Sequence, residues 1–190
     1  MGKITKISVV TPSFNQAEFI ERTIVSVLSQ DPGIPVEHLV MDGGSTDGTP
    51  EILGRYAGRI RTVSEPDRGM SDALNKGFAL AGGEVIGWLN SDDIYLPGAL
   101  RSVGQACRDN PGVDVFYGNL YHVNENDRII AEHRLTPYVP FLSNLGMLYG
   151  GFGIYQPPTF WTRGIYDRVG GIDPGFVHCL DVDLFVRFAL

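Results

Sequence analysis

The sequence predicts an α/β fold: an open, mostly parallel twisted sheet with helices on both faces, followed by a smaller irregular region. Two observations carry this. Short β-branched runs alternate with segments of helical period from Ile7 to Leu89, and each run ends in a loop rich in Gly, Pro, Asp and Asn. Such alternation is the pattern of βαβ crossovers.

Taken in order, Ile7 to Thr11 is short and β-branched and reads as a buried strand. Pro12 to Gln16 turns, and Ile20, Ile24, Val27 and Leu28 mark a helix within Ala17 to Gln30. Asp31-Pro32-Gly33 ends it, and Val36 to Met41 is the next strand. After the loop Asp42 to Thr49, Pro50 fits the first helical position with Thr49 as its cap, and Ile52, Leu53 and Tyr56 form the apolar face. Ile60 to Ser64 is a third strand, and Ser71 to Ala81 a helix burying Leu74, Phe78 and Ala81. Glu84 to Leu89 is the fourth strand and runs into Asn90-Ser91-Asp92-Asp93. A helix near Leu100 to Arg108 and a strand at Val113 to Tyr117 follow, and residues 118 to 135 read as irregular strands. Asp183 to Leu190 reads as an amphipathic helix still in progress, which predicts that the chain is the front part of a longer protein.

Composition narrows the function. The 190 residues suit one domain, 1–190, with 43% hydrophobic and 19% charged content, as in folded globular chains. The formal net charge of −7 argues against nucleic acid as a partner, because phosphate backbones are bound by clustered Lys and Arg. The two cysteines, Cys107 and Cys179, read as buried thiols of a reducing compartment. With no leader pattern and no apolar run of about 18 residues, the expected location is cytoplasmic. Pro137 to Pro158 is rich in Gly, Pro and aromatics and almost uncharged. A loop packed over the site, a seat for an apolar acceptor tail and a membrane-touching surface are its three readings.

In a parallel sheet the C-terminal strand ends share one edge, where ligands bind. Four polar loops therefore converge: Thr11 to Asn15, Asp42 to Asp47, Glu65 to Arg68, and Asn90 to Asp93. Adjacent carboxylates such as Asp92 and Asp93 repel unless a cation separates them, and a hard divalent ion carrying phosphates is the natural partner. Asp42 is placed either to accept an N–H from a base edge or to hold its own turn. Arg68, in a turn before a helix N-terminus, and Lys76 are the cations nearest the expected phosphate path, although a solvated surface Arg fits the same spacing. Asp181 and Asp183 stand two apart at a helix start, as helix N-terminal acids or as a source of a general base. Tyr155, Gln156 and Trp161 precede them, the aromatics as a stacking surface or as core and Gln156 as a hydrogen-bonding group.

Together, Thr11-Pro12-Ser13-Phe14-Asn15-Gln16, Asp42 to Thr49, Ser64 to Gly69, Asp72 to Gly77, Asn90-Ser91-Asp92-Asp93, Gly170 to Asp173 and Leu180 to Leu184 resemble a family 2 glycosyltransferase of the GT-A fold. The resemblance spans nearly the whole chain; it is specific for the superfamily and silent on the sugar. It implies a nucleotide-diphosphate sugar donor, a divalent metal (Mn2+ or Mg2+) and inversion at the anomeric carbon, in a hexosyltransferase-type enzyme. Residues 1–117 would bind the nucleotide sugar and 118–190 the acceptor side. Thr11, Pro12, Phe14 and Asn15 match positions that wall the nucleotide, Asp42 the acid that reads the base, Asp92 a residue near the ribose, Asp93 the metal ligand and Asp181 the catalytic base. Leu180 stands where the family usually has a second acid, so Asp183 is a rival base. The downstream Gln/Trp motif of processive synthases is not in the sequence, which points to a nonprocessive enzyme of surface polysaccharide or glycan synthesis. Its acceptor would be a glycan or lipid-linked glycan, with peripheral membrane contact in the second case. A nucleotidyltransferase and a noncatalytic nucleotide-sugar binding module are the alternatives; oligomeric state is not readable.

Overall fold

The structure is a computed structural model that describes residues 4–135 and 154–190. Most of the uncharged Pro137 to Pro158 stretch therefore lies outside the described residues.

A six-stranded sheet has the order Arg61–Ser64, Val36–Asp42, Ile7–Ser13, Val85–Trp88, Thr159–Thr162, Val115–Tyr117. Its parallel part is β1 (Ile7–Ser13), β2 (Val36–Asp42), β3 (Arg61–Ser64) and β4 (Val85–Trp88). β1 lies between β2 and β4 and is buried at every position, as expected of a strand covered on both faces. The connecting helices are α1 (Ile20–Leu28), α2 (Thr49–Arg55) and α3 (Met70–Leu80). Alternation along the strands sorts the faces. Val40 packs with Ile20, Ile24, Ile52 and Leu53 of α1 and α2, whereas Val10, Leu39 and Met41 pack with Leu74 and Phe78 of α3. α3 lies so close to the sheet that a Cβ on Gly77 would collide with Val10 and Met41. α4 (Ala99–Asp109) buries Leu100 and Cys107 against Ile7, Val9 and Val85.

Beyond α4 the structure departs from the sequence reading. β5 (Val115–Tyr117) does not pair with β4. β8 (Thr159–Thr162) enters between them, antiparallel to both. Residues 118 to 135, expected as irregular strands, form a hairpin, β6 (Leu120–Val123) and β7 (Ile129–His133), in a sheet of its own whose register shifts at His122/Val123. Trp161, read as either sugar-stacking or core, is fully buried and meets Phe78 edge-on at 5.6 Å. Two helices close the chain. α5 (Arg163–Val169) is capped by Thr162, whose Oγ1 accepts from Ile165 N, and ends at Gly170 with φ +84°. α6 (Leu180–Ala189) lays Leu180, Leu184 and Phe185 on the Trp161 cluster.

Smaller expectations are corrected too. Thr49 opens α2 but is not its cap; Asp47 Oδ1 accepts from Thr49 N at 2.9 Å and does that work. Only Cys107 is buried, its thiol pushed up to about 11 by burial, while Cys179 is exposed. Among the described residues no helix is long and apolar enough to cross a membrane.

Candidate active site

The strand ends are tied side by side at the C-terminal rim. Gly43 N donates to Ser13 O (2.8 Å), Glu65 N to Asp42 O (3.0 Å) and Leu89 N to Val10 O (3.0 Å). The first two loops are also stitched to each other. Asn15 N donates to Ser45 Oγ (2.7 Å), Thr46 N to Asn15 Oδ1 (2.9 Å) and Ala17 N to Asp47 Oδ2 (3.0 Å). Asn15 is held at φ +52°, which Asn tolerates better than most residues, and Phe14 beside it is 58% exposed. Thr11 and Pro12 differ from Phe14: both are buried within β1, and Thr11 Oγ1 shares a 2.9 Å hydrogen bond with His38 Nε2. Any contact they make with a ligand is through backbone.

Asp42 is 2% exposed and holds its turn. It accepts from Ser45 N (3.2 Å), Ser45 Oγ and Ser64 Oγ (2.5 Å each). A carboxylate has about four acceptor positions, so three bonds leave capacity for one more donor. A Cβ on Gly43 would lie 2.7 Å from Asp67 Oδ2, so a larger residue there would displace the Asp67 carboxylate.

The two expected phosphate cations are partly spoken for. Lys76 Nζ sits between Glu65 (2.8 Å) and Asp72 (3.2 Å), and hydrogen bonds to these two acids raise its pKa. Arg68 makes one loose contact, 3.3 Å to Asp72, and its side chain is 89% exposed and free to swing.

The acidic loop after β4 is the most tightly built part of the rim. Trp88 Nε1 donates to Asn90 Oδ1 (2.8 Å), Asn90 Nδ2 to Gln156 Oε1 (2.9 Å), and Gln156 Nε2 back to Trp88 O. Gln156 thus braces the loop from β8's side. Thr23 of α1 shares its single hydroxyl proton between Ser91 O and Asp93 O, each 2.8 Å away. Asp93 is lifted to about 6, first by burial and then by the charge of Asp92; Asn90 and His122 pull the other way. Among the described residues no three His, Cys, Asp or Glu side chains form a metal cage. Two carboxylates that destabilise each other nevertheless suit Mg2+ or Mn2+, which take one or two protein carboxylates and complete their shell with phosphate oxygens and water.

Asp181 and Asp183 separate cleanly. Arg187 grips Asp183 at 2.6 and 3.0 Å while also donating to Val169 O. Asp181, half-buried one residue into α6, has no hydrogen bond or ion pair among the described residues. The loop leading to it is fixed on α3, whose N-terminus lies at the rim. Asn75 donates to Ile172 O (2.9 Å) and accepts from Ile172 N and Tyr166 OH (3.0 Å each), and Ser71 Oγ donates to Phe176 O (3.2 Å).

The loop sequences match the sequence model described as Glycosyl transferase family 2 over residues 8–170. The chain belongs to that family. An uncharacterized glycosyltransferase of Mycobacterium tuberculosis is 31% identical over all of this chain and 71% of its own length. Hyaluronan synthase of Pasteurella multocida is 29% identical over 69% of this chain and 14% of its own. Among solved structures, Staphylococcus aureus TarS in complex with UDP-GlcNAc superposes with TM-score 0.79 at 20% identity, covering 97% of this chain and 53% of that one. The Pyrobaculum calidifontis mannosyltransferase PcManGT with GDP-Man and Mn2+ does so with TM-score 0.67 at 21% identity, covering 96% and 51%. This chain spans about half of those two chains. It is a glycosyltransferase domain of the GT-A fold, and family membership sets the nucleotidyltransferase reading aside.

Sequence reasoning missed Thr23, Asn75, Trp88 and Asn90 as supports of this rim. Thr23 left a signal, a hydroxyl among Ile20, Ile24 and Val27 on the buried face of α1. Asn75 and Asn90 fell inside matched motifs but pair with partners far along the chain.

Proposed function

We propose that this domain is an inverting, metal-dependent, nonprocessive glycosyltransferase that moves a sugar from a nucleotide diphosphate to a hydroxyl of a glycan or lipid-linked glycan. The observation that carries the reading is the pair of opposite fates of its acids: Asp93 is half-buried beside Asp92 with no ion pair among the described residues, and Asp181 has none there while Asp183 is held by Arg187. The relatives support the donor class: one neighbour holds UDP-GlcNAc, another GDP-Man with Mn2+. Hyaluronan synthase among the relatives supports polysaccharide synthesis.

The residues divide the work. Phe14 and Asn15 wall the nucleotide, with Thr11 and Pro12 setting the backbone beneath; Asp42 uses its remaining acceptor capacity on the base; Asp92 lies toward the ribose. Asp93 and Asp92 would hold the divalent cation, which when bound offsets the negative charge of the nucleoside diphosphate. Arg68 swings onto the diphosphate, and Lys76 contributes from its seat between two acids. Gln156 keeps the acidic loop in register. Asp181 takes the proton from the acceptor hydroxyl as it attacks the face opposite the leaving group, which inverts the stereocentre. The site works on the cytoplasmic side, peripherally at the membrane when the acceptor is lipid-linked.

The test is a transfer and hydrolysis assay of the full-length protein against UDP and GDP sugars, run with calorimetry. Turnover with at least one donor is expected, together with donor binding that requires Mn2+ and collapses in Asp93→Ala. Tight donor binding with no turnover under any acceptor tried would instead mark a noncatalytic binding module.

A further inference from the structure

The β6–β7 hairpin carries two histidines that the family motifs do not include. It is pinned over the acidic loop from two sides. Arg22 of α1 pairs with Asp127 in the hairpin turn at 2.7 Å, and Tyr155, next to the loop-bracing Gln156, shares a 3.0 Å hydrogen bond with His133 Nδ1. The rings of His133 and Tyr155 meet edge-on at 4.9 Å, and those of His122 and His133 lie 4.6 Å apart. Strand register puts His122 and His133 on one hairpin face, and Tyr121 and Glu132 on the other. Glu132 is taken by Arg134 (2.9 Å) and Tyr121 (3.3 Å), so it does not compete for the imidazoles. His122 is exposed and lies beside His133, whose partner Tyr155 adjoins the Gln156 that braces the acidic loop.

An accessible N–H donor on a hairpin pinned to the elements that hold the acidic loop suits an anionic group bound at that loop. Lys76 is already held by two acids, and Arg68 is exposed with a 3.3 Å contact to Asp72. We propose that His122 binds the diphosphate of the donor, presented by the β6–β7 hairpin and oriented by His133 and Tyr155. This rests on the donor site described above. His122 touches the ligand; His133 and Tyr155 are positioning residues that fix its ring.

The full-length protein with Mn2+ is titrated calorimetrically with UMP, UDP and UDP-GlcNAc, and with GMP, GDP and GDP-mannose. His122→Ala is expected to weaken the bound diphosphates about tenfold, the size of a lost hydrogen bond to a charged group, and to leave the monophosphates unchanged. His122→Gln, which keeps an N–H donor, recovers part of the loss, and His133→Ala gives a smaller loss of the same pattern. The Gln variant decides the matter if the Ala variant does not fold. Unchanged diphosphate affinity overturns the proposal. So does a loss confined to the sugar nucleotides, which would move His122 to the sugar, or an equal loss on the monophosphates. Failure of the wild-type protein to bind any of the six overturns the donor-site reading itself and this inference with it.

Discussion

The rim made by β1 to β4 and the region after Tyr117 are held by different kinds of interaction. The four parallel strands are linked by ladders, and their loops by hydrogen bonds between neighbouring turns, Asn15 with Ser45 and Thr46, Asp42 with Ser45 and Ser64. The later region reaches the rim through a few side chains that each span a long stretch of sequence: Gln156 to Asn90, Asn75 to Ile172, Arg22 to Asp127. Its surface is also less covered, with Ile129 and Ile130 both largely exposed. The comparison teaches that the geometry of the strand-end loops is built into the sheet, whereas the proposed base and the hairpin are positioned by a few long-range side-chain anchors. Damage to the anchor of the loop before α6 should therefore move catalysis before nucleotide binding, whereas damage to the hairpin's anchor should reach the diphosphate.

The largest effect tests the seam. Trp161 of β8 contacts Phe78 of α3 and Phe185 of α6. Trp161→Ala should cost about 3–5 kcal/mol, read as a shift of the denaturant midpoint; a loss under 1 kcal/mol would show the two regions to be independent. Next is Asp93. Its folded pKa of about 6 lies above the unfolded carboxylate value, so folding holds that proton more tightly than the unfolded chain does. The associated stability is fully present below the unfolded pKa and is lost as pH rises toward 6. Asp93→Asn should accordingly make the metal-free protein more stable at pH 7, by on the order of 2 kcal/mol, while abolishing Mn2+-dependent donor binding. Destabilisation of the metal-free protein would contradict the unpaired state assigned to Asp93.

Asn75→Ala comes third. It leaves Ile172 N–H and C=O without their partner, a loss of about 1–3 kcal/mol, and should lower kcat with donor affinity nearly intact. Equal losses in both would mean that the later loop also shapes the donor site. Arg22→Ala is the smallest. An exposed pair is worth about 0–1 kcal/mol, so stability should barely change, and any effect should appear as weaker diphosphate binding through the loosened hairpin. Separately, His38 is buried and held neutral, its pKa lowered by burial to about 3. Protonation then favours the unfolded chain, so stability should fall as pH drops from about 6.5 toward 3, and His38→Gln should flatten that limb of the acid titration.

Much of the parallel half was legible in the sequence because its signals are local. Runs such as Ile7 to Thr11 are β-branched, and the Pro12, Gly43 and Pro66 loops punctuate them. Thr159-Phe160-Trp161-Thr162 was not legible as a strand, because its place between β4 and β5 is set by contacts with Val85 to Gly87 and Val115 to Tyr117, far away in the chain. The same limit applied to the site. The acids and their loops could be named from residue type, but their charge partners could not. Residue type marks Lys76 as a cation near the expected phosphate path, and the structure seats it between Glu65 and Asp72. The ambiguity between Asp181 and Asp183 had a local clue, Arg187 one helical turn after Asp183, and the structure shows that pair formed.

Replacing the unpaired acid at the start of α6 is the most direct measurement. Asp181→Asn should reduce kcat about 10²–10⁴-fold and leave the calorimetric donor affinity at the wild-type value, with Asp183→Asn retaining most turnover. Wild-type turnover in Asp181→Asn, joined to a collapse in Asp183→Asn, would contradict the account.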